Sequence, residues 1–207
     1  MTKALFRGFY FITDNALSRQ GNVRDVQDAL AAGVAAVQYR EKAGSFSQML
    51  SEAQRLRALC QDIPFIVNDS LPIAMAVHAD GLHVGRTDTS CRQARREWGS
   101  QKIIGVSVLT VAEALEAERE GADYIGLGPI FATSTKKDAD PPCGIERIKE
   151  IKKACALPLV AIGGISLDNA AAVIEAGADG ICAISATVGQ ADVEVQVRKF
   201  NKFFKKA

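Results

Sequence analysis

The chain has no apolar run that approaches the roughly 20 residues needed to span a membrane. It also lacks an excess of charge of either sign, because 25 Lys and Arg residues against 24 Asp and Glu residues leave a net charge of +1. Domains that bind nucleic acid normally carry a strongly basic face. We therefore expect neither membrane nor nucleic acid as a partner, and we expect small-molecule ligands instead.

Cysteine is scarce, and the usual cysteine motifs are missing. The five cysteines, at positions 60, 91, 143, 155 and 182, are odd in number and form no Cys-x-x-Cys pair. This pattern favours free thiols in a reducing compartment over a disulfide framework or a zinc site. Residues 1–7 contain no long apolar segment of the kind that a signal peptide needs. The sequence therefore predicts a cytoplasmic protein.

Short apolar runs rich in β-branched residues recur along the whole chain. Eight of them are typical of buried strands: 8–13, 35–39, 65–67, 81–84, 103–108, 124–127, 159–162 and 180–184. Segments rich in Ala, Leu, Glu, Gln, Lys and Arg predict helices over 23–32, 46–61, 111–120, 145–154 and 169–176. A shorter link lies at 72–77, and 193–206 forms a closing amphipathic helix with Phe200, Phe203 and Phe204 near one face.

Four junctions between a predicted helix and the next strand share small residues, at 32–35, 79–81, 121–123 and 177–180. Gly at such a junction is the expected helix stop. Eight strand–helix units with apolar strands indicate a parallel sheet covered by helices, and eight units close a barrel. The alternative is an open doubly wound sheet, but its Gly-x-Gly-x-x-Gly fingerprint is absent after the first strand. We predict an α/β protein with a single (β/α)8 TIM barrel, in which residues 1–207 form one catalytic domain.

The stretch 123–137 points most directly to a ligand. Its apolar part ends at Gly128-Pro129, and a tip rich in hydroxyl and ammonium groups follows, comprising Thr133, Ser134, Thr135, Lys136 and Lys137. Hydroxyls, backbone N–H groups and a mobile positive charge suit a phosphate, whereas the alternative is an ordinary solvated loop. Barrels often bind phosphate in the loops after strands seven and eight. This chain has Gly163-Gly164 and Ile184-Ser185 in those places.

Polar residues also follow the second, third and fourth strands. Period-2 alternation places Gln38, Arg40 and Lys42 on one face of strand two. Such a face inside a barrel is costly unless an anion or polar ligand meets it; the alternative is a solvated strand end. Asp69 and Asp88 follow strands three and four, and two carboxylates beside phosphate oxygens suit Mg²⁺. Helix N-capping by either Asp is the alternative.

His83 lies within strand four, and we favour a core histidine with satisfied hydrogen bonds over a role in proton transfer. Ser107 alternates with apolar neighbours, so it either faces the barrel mouth or fills space. We expect two anion sites there. One gathers Arg40, Lys42, Asn68, Lys136 and a metal held by Asp69 and Asp88; the other gathers Gly164, Ile184, Ser185 and the loop 133–135. A diphosphate with Mg²⁺ and a monophosphate would fill them, and the absence of a strong nucleophile–base pair argues against covalent hydrolysis.

From about residue 10 to 200, the chain resembles the thiamine phosphate synthase family of (β/α)8 enzymes. The ordered blocks are Gln-Tyr-Arg-Glu-Lys at 38–42, Asn-Asp at 68–69, Ala-Asp-Gly-Leu-His-Val-Gly at 79–85 with Asp88, Gly-Val-Ser at 105–107, Gly-Leu-Gly-Pro-Ile-Phe-Ala-Thr-Ser-Thr-Lys-Lys at 126–137, Ala-Ile-Gly-Gly-Ile at 161–165, and Ala-Gly-Ala-Asp-Gly at 176–180 with Ile-Ser at 184–185. No single block is specific, but the ordered set is.

The resemblance implies that hydroxymethylpyrimidine diphosphate is joined to a thiazole phosphate with release of pyrophosphate, by a dissociative substitution. The residues that it implies for the pyrimidine diphosphate are Gln38, Tyr39, Arg40, Glu41, Lys42, Asn68, Ser107 and Lys136, of which Arg40, Ser107 and Lys136 are the catalytic candidates. Asp69 and Asp88 would hold Mg²⁺. The thiazole phosphate would meet Thr133, Ser134, Thr135, Gly164, Ile184 and Ser185.

Three positions depart from the family pattern. Arg86-Thr87 replaces Gln-Glu before Asp88, Ser70 replaces an acid that often follows Asn-Asp, and Leu109 lies where a His often follows the strand-five Ser. The first two changes put metal affinity and ligand geometry in question. Two alternatives remain open: a thiazole tautomerase of the same superfamily, which would use a His near strand five, and a non-catalytic phosphate-binding relative. A homo-oligomer is also left open.

Overall fold

The computed structural model describes residues 6–85, 90–135 and 140–204. Within these ranges, strands and helices alternate along the chain. The strands are β1 (Gly8–Ile12), β2 (Ala36–Tyr39), β3 (Phe65–Asn68), β4 (Gly81–Val84), β5 (Ile103–Val108), β6 (Tyr124–Leu127), β7 (Leu159–Ile162) and β8 (Gly180–Cys182). The helices are α1 (Asn22–Ala32), α2 (Phe46–Leu59), α3 (Leu71–Ala76), α4 (Cys91–Trp98), α5 (Val111–Arg119), α6 (Gly144–Ala154), α7 (Ala170–Glu175) and α8 (Val193–Asn201).

The strands form a closed barrel. Each pairs in parallel with the next in sequence, and β8 pairs with β1 to complete the ring. This confirms the predicted TIM barrel and excludes the open doubly wound sheet. Because all strands run in one direction, their carboxyl ends meet at a single mouth, where barrels of this type carry their active sites. None of the described helices is long and apolar enough to cross a membrane.

Two apolar layers stabilise the barrel. The larger one lies between strands and helices and includes a contact of Phe9 with Phe200 of α8, whose ring centroids are 5.1 Å apart. The smaller one fills the barrel interior. Its large members are aromatic: the ring of Phe6 stacks on that of Tyr124 at 4.3 Å, and Tyr10 lies beside both. These rings therefore pack the interior at its amino end.

The repeated small-residue junctions form the amino end of the barrel. Gly33, Gly121 and Gly177 have positive φ angles of 81°, 88° and 108°, as expected of helix stops. At three of these junctions an Asp also links the neighbouring strand and helix. It accepts a hydrogen bond from an N–H at the start of the preceding strand and pairs with a basic side chain of the helix before that strand: Asp80 with Phe65 and Arg57, Asp123 with Ile104 and Arg95, and Asp179 with Leu159 and Lys152.

One helix of the structure, α4, was not predicted from the sequence. It was not expected, because its sequence is short and strongly polar and buries only Cys91 and Ala94. The N-cap side chain of Ser90 accepts a hydrogen bond from the Gln93 N–H and starts the helix locally. The predicted closing helix over 193–206 ends at Asn201.

Asp25 in α1 offers a stability prediction. Its carboxyl is buried, and neither oxygen has a partner in good hydrogen-bond geometry in the described structure. Burial raises the pKa of the Asp25 carboxyl above its ordinary 3.8; the side chains of Ser18 and Gln20 oppose this rise in part, and nearby Asp28 adds to it. The folded state therefore favours the neutral acid, so the stability that this group contributes at low pH is lost as the pH rises through the raised pKa.

We expect Asp25→Asn to raise the melting temperature at pH 7.5, since an unsatisfied buried charged acceptor costs about 1–3 kcal/mol. Thermal unfolding followed by circular dichroism measures the gain, which should shrink as the pH approaches 3.8. Asp28→Asn is the matched control and should destabilise, because Asp28 accepts from Gln20 and pairs with Arg24. An unchanged or lower melting temperature for Asp25→Asn at pH 7.5 contradicts the prediction.

Candidate active site

A cavity of about 610 Å³ opens at the carboxyl ends of the strands. Side chains or backbone from every strand or from the loop that follows it line the cavity, and its floor is formed by Tyr10, Gln38, His83, Tyr124 and Cys182. This volume is typical of a site for small-molecule ligands.

The end of β2 presents the predicted alternation. Gln38, Arg40 and Lys42 line the cavity, whereas Tyr39 and Glu41 do not. The Tyr39 hydroxyl turns outward and donates to Glu52 of α2 at 3.0 Å. The Glu41 carboxylate accepts from the N–H groups of Lys42 and Ala43 and so shapes its own turn. The alternative of an entirely solvated strand end is therefore wrong.

Arg40 is held in place by the end of β1, which sequence reasoning missed. Its guanidinium donates to the Asp14 carboxylate at 3.1 Å, and its backbone N–H donates to the Thr13 hydroxyl at 2.9 Å. Thr13 and Asp14 are both buried. The signal was present in the sequence, as two polar residues directly after an apolar strand, but nothing in the sequence showed that their partner would be on β2.

Asp69 lies where β3 ends and lines the cavity beside Asn68. Its backbone adopts a left-handed conformation with φ 61°, which Asp tolerates better than most residues, and its N–H donates to the His83 carbonyl at 2.8 Å. Its carboxylate is not a helix cap, because Ser70 caps α3 by accepting from the Ile73 N–H. Instead it accepts a hydrogen bond from the Lys42 ammonium.

The described residues supply one of the two predicted magnesium ligands, Asp69. The Asp69 carboxylate is about a quarter exposed toward the cavity and already attracts a cation, and Mg²⁺ usually keeps several waters and takes one or two carboxylates. No group of three or more His, Cys, Asp or Glu side chains suited to a metal occurs among the described residues. The second predicted ligand, Asp88, and the catalytic candidate Lys136 both lie outside the described residues, as does the Arg86-Thr87 departure.

The loops after β6 and β7 pack against each other. The N–H groups of Ile130 and Phe131 donate to the carbonyls of Ile162 and Gly163 at 2.9 and 3.0 Å. Gly163 and Gly164 have φ angles of 97° and 64°. A Cβ added to Gly164 would lie 2.5 Å from the Ala132 carbonyl oxygen. The two glycines are thus required by the close approach of these loops.

This packing brings the predicted monophosphate residues to one sector of the mouth. Thr133, Thr135, Gly164, Ile184 and Ser185 line the cavity, whereas Ser134 is exposed and does not. Residues 184–190 form a helical turn in which the N–H groups of Thr187 and Val188 donate to the Ile184 carbonyl. The backbone N–H groups of Gly164 and Ser185 have no acceptor in the described structure. Free N–H groups at the start of a helical turn are suited to an anion.

His83 and Ser107 meet on the cavity floor. The His83 Nε2 lies 2.9 Å from the Ser107 hydroxyl oxygen, and the Nδ1 lies 2.9 Å from the Tyr124 hydroxyl. Both ring nitrogens are therefore hydrogen-bonded, as the core-histidine interpretation predicted, and Ser107 faces the mouth. The sequence did not indicate that the two side chains would touch, because 24 residues separate them.

Comparisons with known proteins agree with this geometry. Residues 9–187 match the family model described as thiamine monophosphate synthase. The thiamine-phosphate synthase of Methanosarcina barkeri is 48% identical over 193 residues, covering 93% of this chain and 88% of that protein. The thiamine-phosphate synthase of Chloroflexus aurantiacus is also 48% identical, with 92% and 89% covered.

Solved structures show the same likeness. The thiamine phosphate pyrophosphorylase of Pyrococcus furiosus superposes with a TM-score of 0.90 and 38% identity, covering 99% of this chain and 98% of that one. The (S)-3-O-geranylgeranylglyceryl phosphate synthase of Thermoplasma acidophilum has a TM-score of 0.71 at 16% identity. The second match extends to the fold alone.

Proposed function

The chain belongs to the thiamine monophosphate synthase family, and we propose that it is a transferase that makes thiamine monophosphate. It joins the pyrimidine-methyl group of hydroxymethylpyrimidine diphosphate to the ring nitrogen of a thiazole phosphate and releases pyrophosphate. The observation that carries the proposal is one cavity with two sectors suited to anions, one with cationic side chains at β2–β3 and one with backbone N–H groups at β6–β8. Relatives at 48% identity carry the synthase name, and no feature of the described residues favours the tautomerase or the non-catalytic alternative.

The β2–β3 sector suits the diphosphate. Arg40 supplies a guanidinium that Asp14 holds at a fixed angle, and Lys42 supplies a mobile ammonium. Asn68 adds a neutral donor at the same edge. Charge-assisted hydrogen bonds of this kind stabilise negative charge most where it develops, on the departing diphosphate. Lys136 is proposed to act with them.

The Asp69 carboxylate, with Asp88, would hold Mg²⁺ in this sector. When bound, the ion supplies a Lewis acid that neutralises diphosphate oxygens. Lys42 already pairs with Asp69, so we propose that its ammonium turns to the diphosphate when the carboxylate takes the ion. Asp69 would thus supply a ligand for the ion, and Lys42, once released from Asp69, would supply a cation for the diphosphate.

The reaction is proposed to be dissociative. The leaving group departs first and leaves a pyrimidine-methyl cation, which the thiazole nitrogen then captures. This order needs no strong general base. The floor residue best placed for such a role, His83, already has both ring nitrogens in hydrogen bonds. The thiazole phosphate is anchored by the N–H groups of Gly164 and Ser185, which supports placing its ring over the floor.

Purified protein with both phosphorylated substrates and Mg²⁺ tests the proposal directly. Thiamine monophosphate should form with one equivalent of pyrophosphate. Formation of pyrophosphate without thiamine monophosphate, or no product at all, contradicts it.

We also propose a cytoplasmic location, which the five free thiols support. A homo-oligomer and the lack of nucleic-acid or membrane partners stay predictions.

Arg40→Gln tests the diphosphate sector. Losing one charge-assisted contact costs about 1.5–3 kcal/mol, so turnover should fall by roughly one to two orders of magnitude while the KM for thiazole phosphate stays unchanged. Lys136→Ala should behave alike. Arg92→Gln is the matched control, because Arg92 is exposed on α4 away from the cavity. If only the KM for thiazole phosphate changes, the two sectors are assigned the wrong way round.

A further inference from the structure

A continuous line of hydrogen bonds runs along the cavity floor. The Gln38 amide nitrogen lies 3.1 Å from the Tyr10 hydroxyl, which lies 2.7 Å from the Tyr124 hydroxyl. The line continues from Tyr124 to His83 and from His83 to Ser107, at 2.9 Å in each step. All five residues line the cavity, and Gln38 and the two tyrosines are 1–2% exposed.

The barrel is shaped to hold this line. Gly105 of β5 leaves the space that the Tyr124 ring occupies, and a Cβ there would overlap the ring. Gly126 of β6 leaves space for His83, whose Cε1 would lie 3.0 Å from an added Cβ. Phe6 supports the Tyr124 ring from below. Glycines in strand interiors weaken a strand unless a close approach requires them. Here both glycines make room for the rings of Tyr124 and His83, so the strand sequences are adapted to hold these rings.

The donor and the acceptor can be assigned at each hydrogen bond of the line. Burial raises the pKa of Tyr10 and of Tyr124 well above the ordinary phenol value, so each keeps one hydrogen to donate. The Gln38 amide nitrogen can only donate. Tyr10 therefore accepts from Gln38 and donates to Tyr124, and Tyr124 in turn donates to the His83 Nδ1. Because a neutral imidazole has one N–H, that hydrogen is on Nε2 and points to Ser107.

We propose that the Gln38–Tyr10–Tyr124–His83 line fixes the His83 tautomer and makes the Ser107 hydroxyl a hydrogen-bond donor to the ligand in the cavity. His83 and the two tyrosines are positioning residues, since they act through Ser107. The role given to the ligand rests on the proposed function; the tautomer does not. A protonated Nε2 cannot take a proton from Ser107, so this Ser–His contact differs from the activated pair of a serine hydrolase, in which the third member is a carboxylate.

The tautomer can be measured without substrate. Two-bond ¹H–¹⁵N spectra of ligand-free, ¹⁵N-labelled protein at neutral pH separate protonated from unprotonated ring nitrogens. The chain has only two histidines, and His78→Gln identifies their signals. The expected result for His83 is a protonated Nε2 and an unprotonated Nδ1. A protonated Nδ1, or an imidazolium, overturns the proposal and leaves the proposed function standing.

Gln38→Glu gives the sharper test. A carboxylate can only accept, so every hydrogen bond in the line should reverse, and His83 should change to the Nδ1-protonated form although it is not in contact with residue 38. Gln38→Leu removes the bias and should give a mixture of tautomers. An unchanged Nε2-protonated form in both variants shows that Gln38 does not set the direction and overturns the proposal. The wild-type spectrum stays decisive if either variant fails to fold.

Kinetics then links the line to the reaction. Tyr124→Phe removes the donor to Nδ1 but leaves Ser107 in place, so kcat/KM for the pyrimidine diphosphate should fall roughly tenfold, the loss expected of one hydrogen bond. The KM for thiazole phosphate should not change. In a Ser107→Ala background the same substitution should have no further effect. Additive losses would mean a merely structural role for Tyr124 and overturn the proposal. An inactive wild-type protein would instead contradict the proposed function.

Discussion

In the Asp69→Asn variant, we expect turnover to fall by about two to three orders of magnitude, because a bound metal ion contributes several kcal/mol to a reaction of this kind. Asn keeps the shape of the side chain and tolerates the left-handed backbone at φ 61°. The substitution therefore removes the charge and little else. Steady-state rates over a magnesium titration measure the effect, and the magnesium concentration needed for half the maximal rate should rise.

Two controls separate metal binding from other losses. Asp62→Asn changes an exposed carboxylate at the opposite end of the barrel and should leave the rate unchanged. Asp69→Asn also releases Lys42 from its partner, so Lys42→Met should lower turnover without raising the magnesium concentration needed for half the maximal rate. Asp88→Asn should reproduce the Asp69→Asn result. A wild-type enzyme that is fully active in chelator, or an Asp69→Asn enzyme with a normal rate, would refute the metal assignment.

The sequence predicted the barrel well, because period and composition act locally. Seven of the eight helices coincide with predicted segments or with the short link at 72–77, and all strands lie within one or two residues of the predicted runs. Helix α4 is the exception. Its start depends on the Ser90 side chain, which accepts a hydrogen bond from the Gln93 N–H, and its packing on two small residues, so a short and strongly polar segment was not recognised as a helix.

The site was predictable only in part. Strand alternation correctly placed Gln38, Arg40 and Lys42 in the cavity, because a strand end continues the period of the strand. The partners of these residues could not be read in the same way. Asp14 meets Arg40 across 26 positions, and His83 meets Ser107 across 24. Such contacts depend on the register between neighbouring strands, which a single sequence does not specify.

The Gly163-Gly164 turn has a structural reason that the sequence did not indicate. The sequence suggested that small residues let an anion approach the backbone. The structure adds a second demand, because Pro129 and Ala132 of the neighbouring loop occupy the space that side chains would need. The glycines thus serve the packing of the two loops before they serve any ligand.

Gly164→Val is therefore expected to abolish thiazole phosphate binding almost completely. A valine would need a positive φ that it rarely adopts, and its Cβ would meet the Ala132 oxygen and the Phe131 side chain at 2.5 and 2.7 Å. Both loops would have to separate, and the Gly164 N–H would be displaced from the proposed anion site. Ser185→Ala should be mild by comparison, at about 0.5–1.5 kcal/mol or roughly two- to tenfold in the dissociation constant, because its main-chain donor survives.

Gly33→Ala and Gly164→Ala form the matched pair for this experiment. Both sites have a positive φ, of 81° and 64°, but an added Cβ meets nothing within 4 Å at Gly33. Backbone strain is common to the two, so only loop contact and the anion site distinguish them. Titrating thiazole phosphate by calorimetry should show normal binding for Gly33→Ala and a large loss for Gly164→Ala. Normal binding by Gly164→Val together with lost binding by Ser185→Ala would mean that the hydroxyl, and not the backbone, holds the phosphate.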